Sequence, residues 1–212
     1  MSLTPQGAQL EVAMLQRTGC RGARAADTYA ASIDRDMDSL RPVLPQTVRR
    51  ILDIGCGLAG IDAALYAHYA VDCPEVHLVD VDRVDRKPVY GYHRADETGA
   101  YHSWAATLGF LTDHGVPKHR LAIYDADRGE FPGRQMDLVI SLISCGFHYP
   151  VQTYLGAILM VLAPAGVCVL DIRKGTDGIE RLAAGFGTVR MLADMGAYDR
   201  VACSQGDDAW RQ

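Results

Sequence analysis

The stretch "ILDIGCGLAGI", residues 51–61, decides the fold. A short apolar run, 49–55, drives straight into glycine, and Gly55, Gly57 and Gly60 fall at G-x-G-x-x-G spacing. That spacing belongs to strand-to-helix turns that cradle nucleotide cofactors: glycines permit the tight turn, the approach of ligand to backbone and close helix packing. It does not say which nucleotide. Gly55 and Gly57 would also serve a bare structural turn, but Asp53, two positions before the first glycine, weighs against that.

Working outward, apolar runs alternate with helical periodicities. Strands are expected at 49–55, 75–82, 120–127, 136–144 and 167–173, and helices at 60–70, 100–117, 151–166 and 178–184. The 100–117 helix carries an apolar stripe at Tyr101, Trp104, Ala105, Leu108 and Leu111. Two further strands, 188–192 and 199–203, form an expected edge hairpin. Upstream, Thr4-Pro5 signals one helix start, with Leu10, Met14 and Leu15 as its apolar side. A second helix is capped by Asp27, shows Tyr29, Ile33, Met37 and Leu40 on one face, and stops near Pro42 and Pro45. Strand–helix alternation implies right-handed βαβ units. The fold expected is α/β: a doubly wound, mostly parallel, seven-stranded Rossmann-like sheet with helices on both faces. An N-terminal helical extension or lid, 1–48, precedes the cofactor-binding domain, 49–212.

Composition narrows the partners. The 212 residues are 49% hydrophobic and 22% charged, enough for one sizeable core. A net charge of -5 argues against nucleic acid, whose phosphates demand a basic face. Cys20, Cys56, Cys73, Cys145, Cys168 and Cys203 show no C-x-x-C spacing, so no metal site is expected, and scattered cysteines suit a reducing, cytoplasmic setting. No run of eighteen apolar residues occurs, so no membrane partner is expected either. The oligomeric state stays open, a homodimer included.

Charge then separates the cofactors. Ligands of open α/β sheets sit at the carboxyl ends of the strands, where Asp53 and Asp80 fall. Asp80 suits ribose hydroxyls, which NAD and S-adenosylmethionine share. Asp53 discriminates: a carboxylate there opposes the pyrophosphate of NAD but favours the ammonium and sulfonium of S-adenosylmethionine.

On these residues the chain resembles the class I S-adenosylmethionine-dependent methyltransferases over roughly 49–173. "LDIGCGLAG" resembles their first motif, "HLVDVD" the second, "YDAD" the third-strand end, and "MDLVISLIS" and "LAPAG" the fourth strand and the following turn. Ala59 and Ala165 depart from the glycines common there. The resemblance implies S-adenosyl-L-methionine as cofactor. Asp53, Gly55, Cys56 and Gly57 would hold its methionine end, Asp80 and Val81 the ribose, Asp125 and Ala126 the adenine, with Ser141 at the end of the fourth strand. Asp137, at the opposite end of that strand, reads as structural, and Cys56 as a packing residue rather than a nucleophile.

For the chemistry, "SCGFHYP" (144–150) follows the fourth strand and offers His148 as general base, with Tyr149 positioning an acceptor. Packing beneath the cofactor is the competing role for His148. No N-P-P-[YF] stands here, which in the family marks amide- or base-nitrogen methylation. Arg173 and Lys174 follow the fifth strand on the acceptor side, and could equally be a surface pair. The irregular 83–99 segment reads as either a lid or a surface insertion and carries Tyr90, Tyr92 and His93, polar-tipped aromatics suited to a sugar. His93, Asp96, Glu97 and His102 fit no metal template and read as a solvated loop. "SCGFHYPVQTYL…LDIRKG" is similar to bacterial and phage-borne methyltransferases of the sugar O-methyltransferase kind. The function expected is O-methylation of a small polar acceptor. An NAD-dependent oxidoreductase and a non-catalytic methyltransferase-like binding protein are the alternatives.

Overall fold

The computed structural model describes residues 14, 18–82, 102–133 and 135–206. Seven strands form one sheet: β1 (Arg50–Ile54), β2 (Glu75–Asp80), β3 (Leu121–Asp125), β4 (Met136–Ser141), β5 (Leu162–Arg173), β6 (Thr188–Asp194) and β7 (Tyr198–Ser204). Their spatial order is β3-β2-β1-β4-β5-β7-β6. The first five run parallel, and β7 runs antiparallel to both β5 and β6. The expected edge hairpin is therefore present, with β7 inserted between β5 and β6.

The helices are α1 (Gly22–Leu40), α2 (Gly60–His68), α3 (Trp104–Asp113), α4 (Gln152–Val161) and α5 (Gly178–Gly185). They cover both faces because strand side chains alternate sides. Leu52 and Ile54 of β1 pack with Val161 of α4 and Leu182 of α5. Ile51, out of phase with them on the strand, packs with Leu40 of α1 and Leu65 of α2 on the other face. The chain leaves β1 toward β2 and β3, then returns to place β4 on the other side of β1. That reversal opens a crevice at the carboxyl ends of β1 and β4.

Three expectations shift. First, α1 begins at Gly22, not at Asp27, because the alanine-rich run 22–31 propagates helix upstream of that capping candidate. Second, α3 spans only Trp104–Asp113 and turns a different face inward. It buries Ala106, Thr107 and Leu111, while Ala105 is exposed. Ser103 caps it by accepting from the Ala106 N–H, and the Thr107 hydroxyl donates to the Gly57 carbonyl at 2.6 Å, so polar bonds rather than the apolar stripe set its rotation. Third, "LAPAG" is no free turn. The ladder steps from Met136↔Leu162 to Leu138↔Val167, so residues 163–166 bulge opposite Asp137. Pro164 has no ladder N–H to give, and a Cβ on Gly166 would come within 2.8 Å of the Met136 carbonyl.

Asp137 is structural, as expected: one carboxylate oxygen accepts from the Arg49 and Arg50 N–H groups at 2.8 and 3.0 Å. Helix α1 of the N-terminal extension is locked to the sheet. Arg200 of β7, wholly buried, donates to both oxygens of Asp171 on β5 (2.7 and 2.9 Å), to Asp36 on α1 (2.9 Å) and to Ser39 (2.7 Å). Among the described residues no helix is long and apolar enough to cross a membrane.

Candidate functional site

The turn after β1 is built on left-handed backbone. Gly55, Gly57 and Ala59 have φ of 77°, 54° and 59°. A Cβ on Gly55 would collide with the side chain of Ser144, so glycine is required by space as well as by conformation. Ala59 takes the left-handed conformation without that freedom, and it is the N-cap of α2. At the next residue the Gly60 N–H donates to the Tyr29 hydroxyl at 3.0 Å. α1 thereby closes over the N-terminus of α2.

Carboxyl groups converge on this turn. Asp53 is buried at the end of β1. Asp80 ends β2, with one oxygen accepting from the Gly57 N–H (2.9 Å) and the other from the Val81 N–H (2.8 Å). Asp62, in the first turn of α2, is wholly buried, and neither of its oxygens has a hydrogen-bond partner. Cys56 reports this crowding. Its thiol is pushed well above its ordinary value, first by burial and then by Asp80, Asp53 and Asp62. A thiol so held is not a nucleophile, which agrees with the packing role expected for it.

The neighbouring strand ends continue the row. Asp80 and Asp125 are cross-strand partners on β2 and β3. Asp125 accepts from the Asp127 N–H at 3.0 Å and caps the short 3-10 turn at Ala126–Arg128. Ser141, at the end of β4, is completely buried. Its hydroxyl donates to the Ile54 carbonyl (2.6 Å) and accepts from the Cys145 N–H (2.8 Å), so it ties β1, β4 and the following loop together.

That loop is rigidly folded. The N–H groups of Phe147, His148 and Tyr149 all point to the Ser144 carbonyl at 2.9 to 3.1 Å, and Gly146 N–H donates to the Tyr149 carbonyl. Ile143 is left-handed at φ 67°, a strained conformation for a β-branched residue. His148 is half-buried with its ring edge-on to Phe147 at 5.2 Å, and the Arg173 guanidinium lies 4.6 Å from the same Phe147 ring. Phe147 thus joins His148 and Arg173, distant in sequence, at the mouth of β4 and β5. Lys174 turns the other way, to Asp194 (2.5 Å) and Asp199 (3.5 Å) of the hairpin. It is a surface partner of the hairpin, not an acceptor-side cation beside Arg173. Tyr90, Tyr92, His93 and the 83–99 segment lie outside the described residues.

Several residues at the site were not legible as such. His102 is buried, not solvated: its ring nitrogens lie 2.5 Å from the Val81 carbonyl and 3.1 Å from the Gly57 carbonyl. Backbone carbonyls drew it in, a feature no spacing rule detects. Cys56, Asp80 and His102 bring ligand-type atoms within 4.8 Å of one another. The hydrogen bonds just given account for both nitrogens of that imidazole. Tyr154 on α4 is another: burial raises its hydroxyl to about 12, with Tyr149, Cys145, Asp80 and Asp127 adding to the shift. It stacks with Phe131 at 6.3 Å, giving an aromatic wall near Asp80. Its position in an apolar helix concealed it.

No family model and no curated protein matches the chain. Solved structures do. A candidate O-methyltransferase from Nostoc punctiforme PCC 73102 superposes with a TM-score of 0.58 at 15% identity, covering 85% of this chain, which spans only 58% of that protein. Residues 961–1257 of StiE, an O-MT segment, give 0.59 at 12% identity, covering 93% of this chain and 84% of that one. The [4+2]-cyclase SpnF gives 0.54 at 19% identity, covering 91% and 76%. At such identities the likeness speaks for architecture. The chain has a class I S-adenosylmethionine-dependent methyltransferase-like fold of Rossmann type, an architecture that also serves a protein named as a cyclase.

Proposed function

We propose that this protein is an S-adenosylmethionine-dependent methyltransferase that methylates an oxygen of a small polar acceptor such as a sugar. The observation that carries the reading is the acidic turn: Asp53 and Asp62 buried beneath left-handed backbone, with Asp80 and Asp125 on the adjoining strand ends. A pyrophosphate would meet repulsion there, whereas an ammonium and a sulfonium meet attraction. Asp62, buried with no donor on either oxygen, fits a cationic ligand end.

In this reading residues 49–212 form the cofactor-binding domain and 1–48 a helical extension or lid. Asp53, Gly55, Cys56 and Gly57 hold the methionine end, Asp80 and Val81 the ribose, and Asp125 and Ala126 the adenine. Ser141 positions the β1 and β4 ends. When bound, the cofactor supplies a methyl group on a sulfonium, open to in-line displacement. His148 takes the acceptor's hydroxyl proton, which contributes about 10²–10⁴-fold in comparable general-base steps. Tyr149 positions the acceptor, and Arg173, Tyr92 and His93 contact it. The Ser144-centred hydrogen bonds hold His148's backbone in place for that role. The scattered cysteines favour a reducing, cytoplasmic setting.

Titration calorimetry with S-adenosylhomocysteine tests the cofactor. Micromolar binding is expected, and no binding ends the proposal. NADH binding improved by Asp53→Ala would favour an oxidoreductase instead. Mass spectrometry of sugars incubated with S-adenosylmethionine then seeks a product heavier by one methylene. With an acceptor in hand, His148→Ala is expected to lower turnover at least about 100-fold with nearly unchanged cofactor affinity. Unchanged turnover removes His148 from the mechanism.

A further inference from the structure

Two residues carry the Asp80 carboxylate. The Gly57 N–H donates to one oxygen at 2.9 Å and the Val81 N–H to the other at 2.8 Å, so Asp80 spans the turn after β1 and the end of β2. The carbonyls of these same two residues converge on one ring. Nδ1 of His102 lies 2.5 Å from the Val81 carbonyl oxygen, and Nε2 lies 3.1 Å from both the Gly57 carbonyl oxygen and the Thr107 hydroxyl. That hydroxyl itself donates to the Gly57 carbonyl at 2.6 Å. The carboxylate gathers the two N–H groups, and the imidazole with the hydroxyl gathers the two carbonyls.

A residue held at both its N–H and its carbonyl has little freedom left in φ and ψ. That matters most at Gly57, which is left-handed at φ 54° and has no side chain to restrain it. The His102 ring is buried and lies edge-on to Trp104 at 4.5 Å. Helix α3 thus supplies both Trp104 and Thr107 to hold it. Burial gives these hydrogen bonds weight, because an enclosed carbonyl left without a donor is costly.

We propose that His102 is a positioning residue for the ribose end of the cofactor: it fixes the β1 turn against the β2 end and so aims the Asp80 carboxylate at the ribose hydroxyls. The inference rests on the reading of Asp80 as the ribose acceptor. A carboxylate that already accepts two N–H groups presents its remaining lone pairs in set directions, and a vicinal pair of hydroxyls must match them. Releasing the carbonyl side lets Gly57 and Val81 turn and carries the carboxylate with them. The loss then falls on the ribose hydroxyls rather than evenly on the ligand.

Calorimetry with S-adenosylhomocysteine and its 2′,3′-dideoxy analogue, which differs only in those hydroxyls, isolates their contribution. The unaltered protein is expected to prefer S-adenosylhomocysteine by about 100-fold. His102→Phe keeps a planar ring and removes both nitrogens, and the preference should fall below about tenfold. His102→Asn, whose amide can replace the Nδ1 donor to Val81, should recover part of it. Thr107→Val, nearly isosteric, removes only the hydroxyl on the Gly57 carbonyl and should reduce the preference about threefold. It decides the matter if the ring replacements do not fold. A merely structural role would weaken both ligands by the same factor. An unchanged preference in the folded variants therefore overturns the inference alone, as does an unaltered protein that binds both ligands equally. No binding of S-adenosylhomocysteine to the unaltered protein overturns the proposed function beneath it.

Discussion

Two clusters of buried charge lie in this molecule, and they are opposites. At the junction of α1, β5 and β7, Arg200 meets both oxygens of Asp171, one of Asp36 and the Ser39 hydroxyl. At the β1–α2 turn, Asp53, Asp62 and Asp80 crowd one thiol, and neither oxygen of Asp62 has a donor. A charge taken from water must find compensation inside the protein or draw it from outside. The first cluster finds it inside and acts as joinery. In the second, no basic side chain bonds Asp62 among the described residues. Burial alone therefore does not say how an acid is compensated; the donors around it do.

The largest test of that contrast is Arg200→Ala. It strands Asp171 and Asp36 without a cation and should cost about 3–5 kcal/mol in urea unfolding. A loss below about 1 kcal/mol would mean that the junction is not held by charge.

Asp62→Asn should act in the other direction. Because Asp62 is raised in the folded state from 3.8 to about 7, its contribution to stability is fully present below pH 3.8 and lost as pH rises through about 7. Above neutrality the unaltered protein bears an ionised Asp62 in a buried site, and the amide removes that charge. Each pH unit over which the folded chain holds this proton and the unfolded chain does not is worth about 1.4 kcal/mol. With allowance for relaxation of the site, we expect the variant to gain about 2–3 kcal/mol at pH 8 relative to its difference at pH 4. Parallel pH–stability curves for the two proteins would refute the charge conflict.

The smallest effect is expected at Ala59→Gly. Relief of left-handed strain, about 1 kcal/mol, is offset by the flexibility of glycine and by loss of a buried methyl. A change in unfolding free energy within about 0.5 kcal/mol is expected. A large gain would place strain, rather than charge, at the centre of the turn.

Much of the layout of the candidate site could be read beforehand because its parts are local. The run into Gly55 and Gly57, the acids Asp53, Asp80 and Asp125 at strand ends, and Asp137 at a strand start each follow from position within one element. What escaped reading is non-local or runs against type. Asp62 looks like an ordinary polar residue of a helix's first turn until β1 is placed beside it. His102 reads as part of a solvated loop until the Val81 and Gly57 carbonyls call for its hydrogen bonds. Lys174 looks like a partner of Arg173 until the hairpin carboxylates claim it.

The sequence by itself determined the alternation of strands and helices, the left-handed turn and the sign of charge at its mouth, because periodicity and backbone conformation are properties of neighbours in the chain. Only the tertiary structure decided which buried acids have a cation. Asp36 and Arg200 are 164 residues apart and meet at 2.9 Å, while Asp62 meets no basic side chain among the described residues. Compensation of a buried charge depends on distance in space, and that is set by packing.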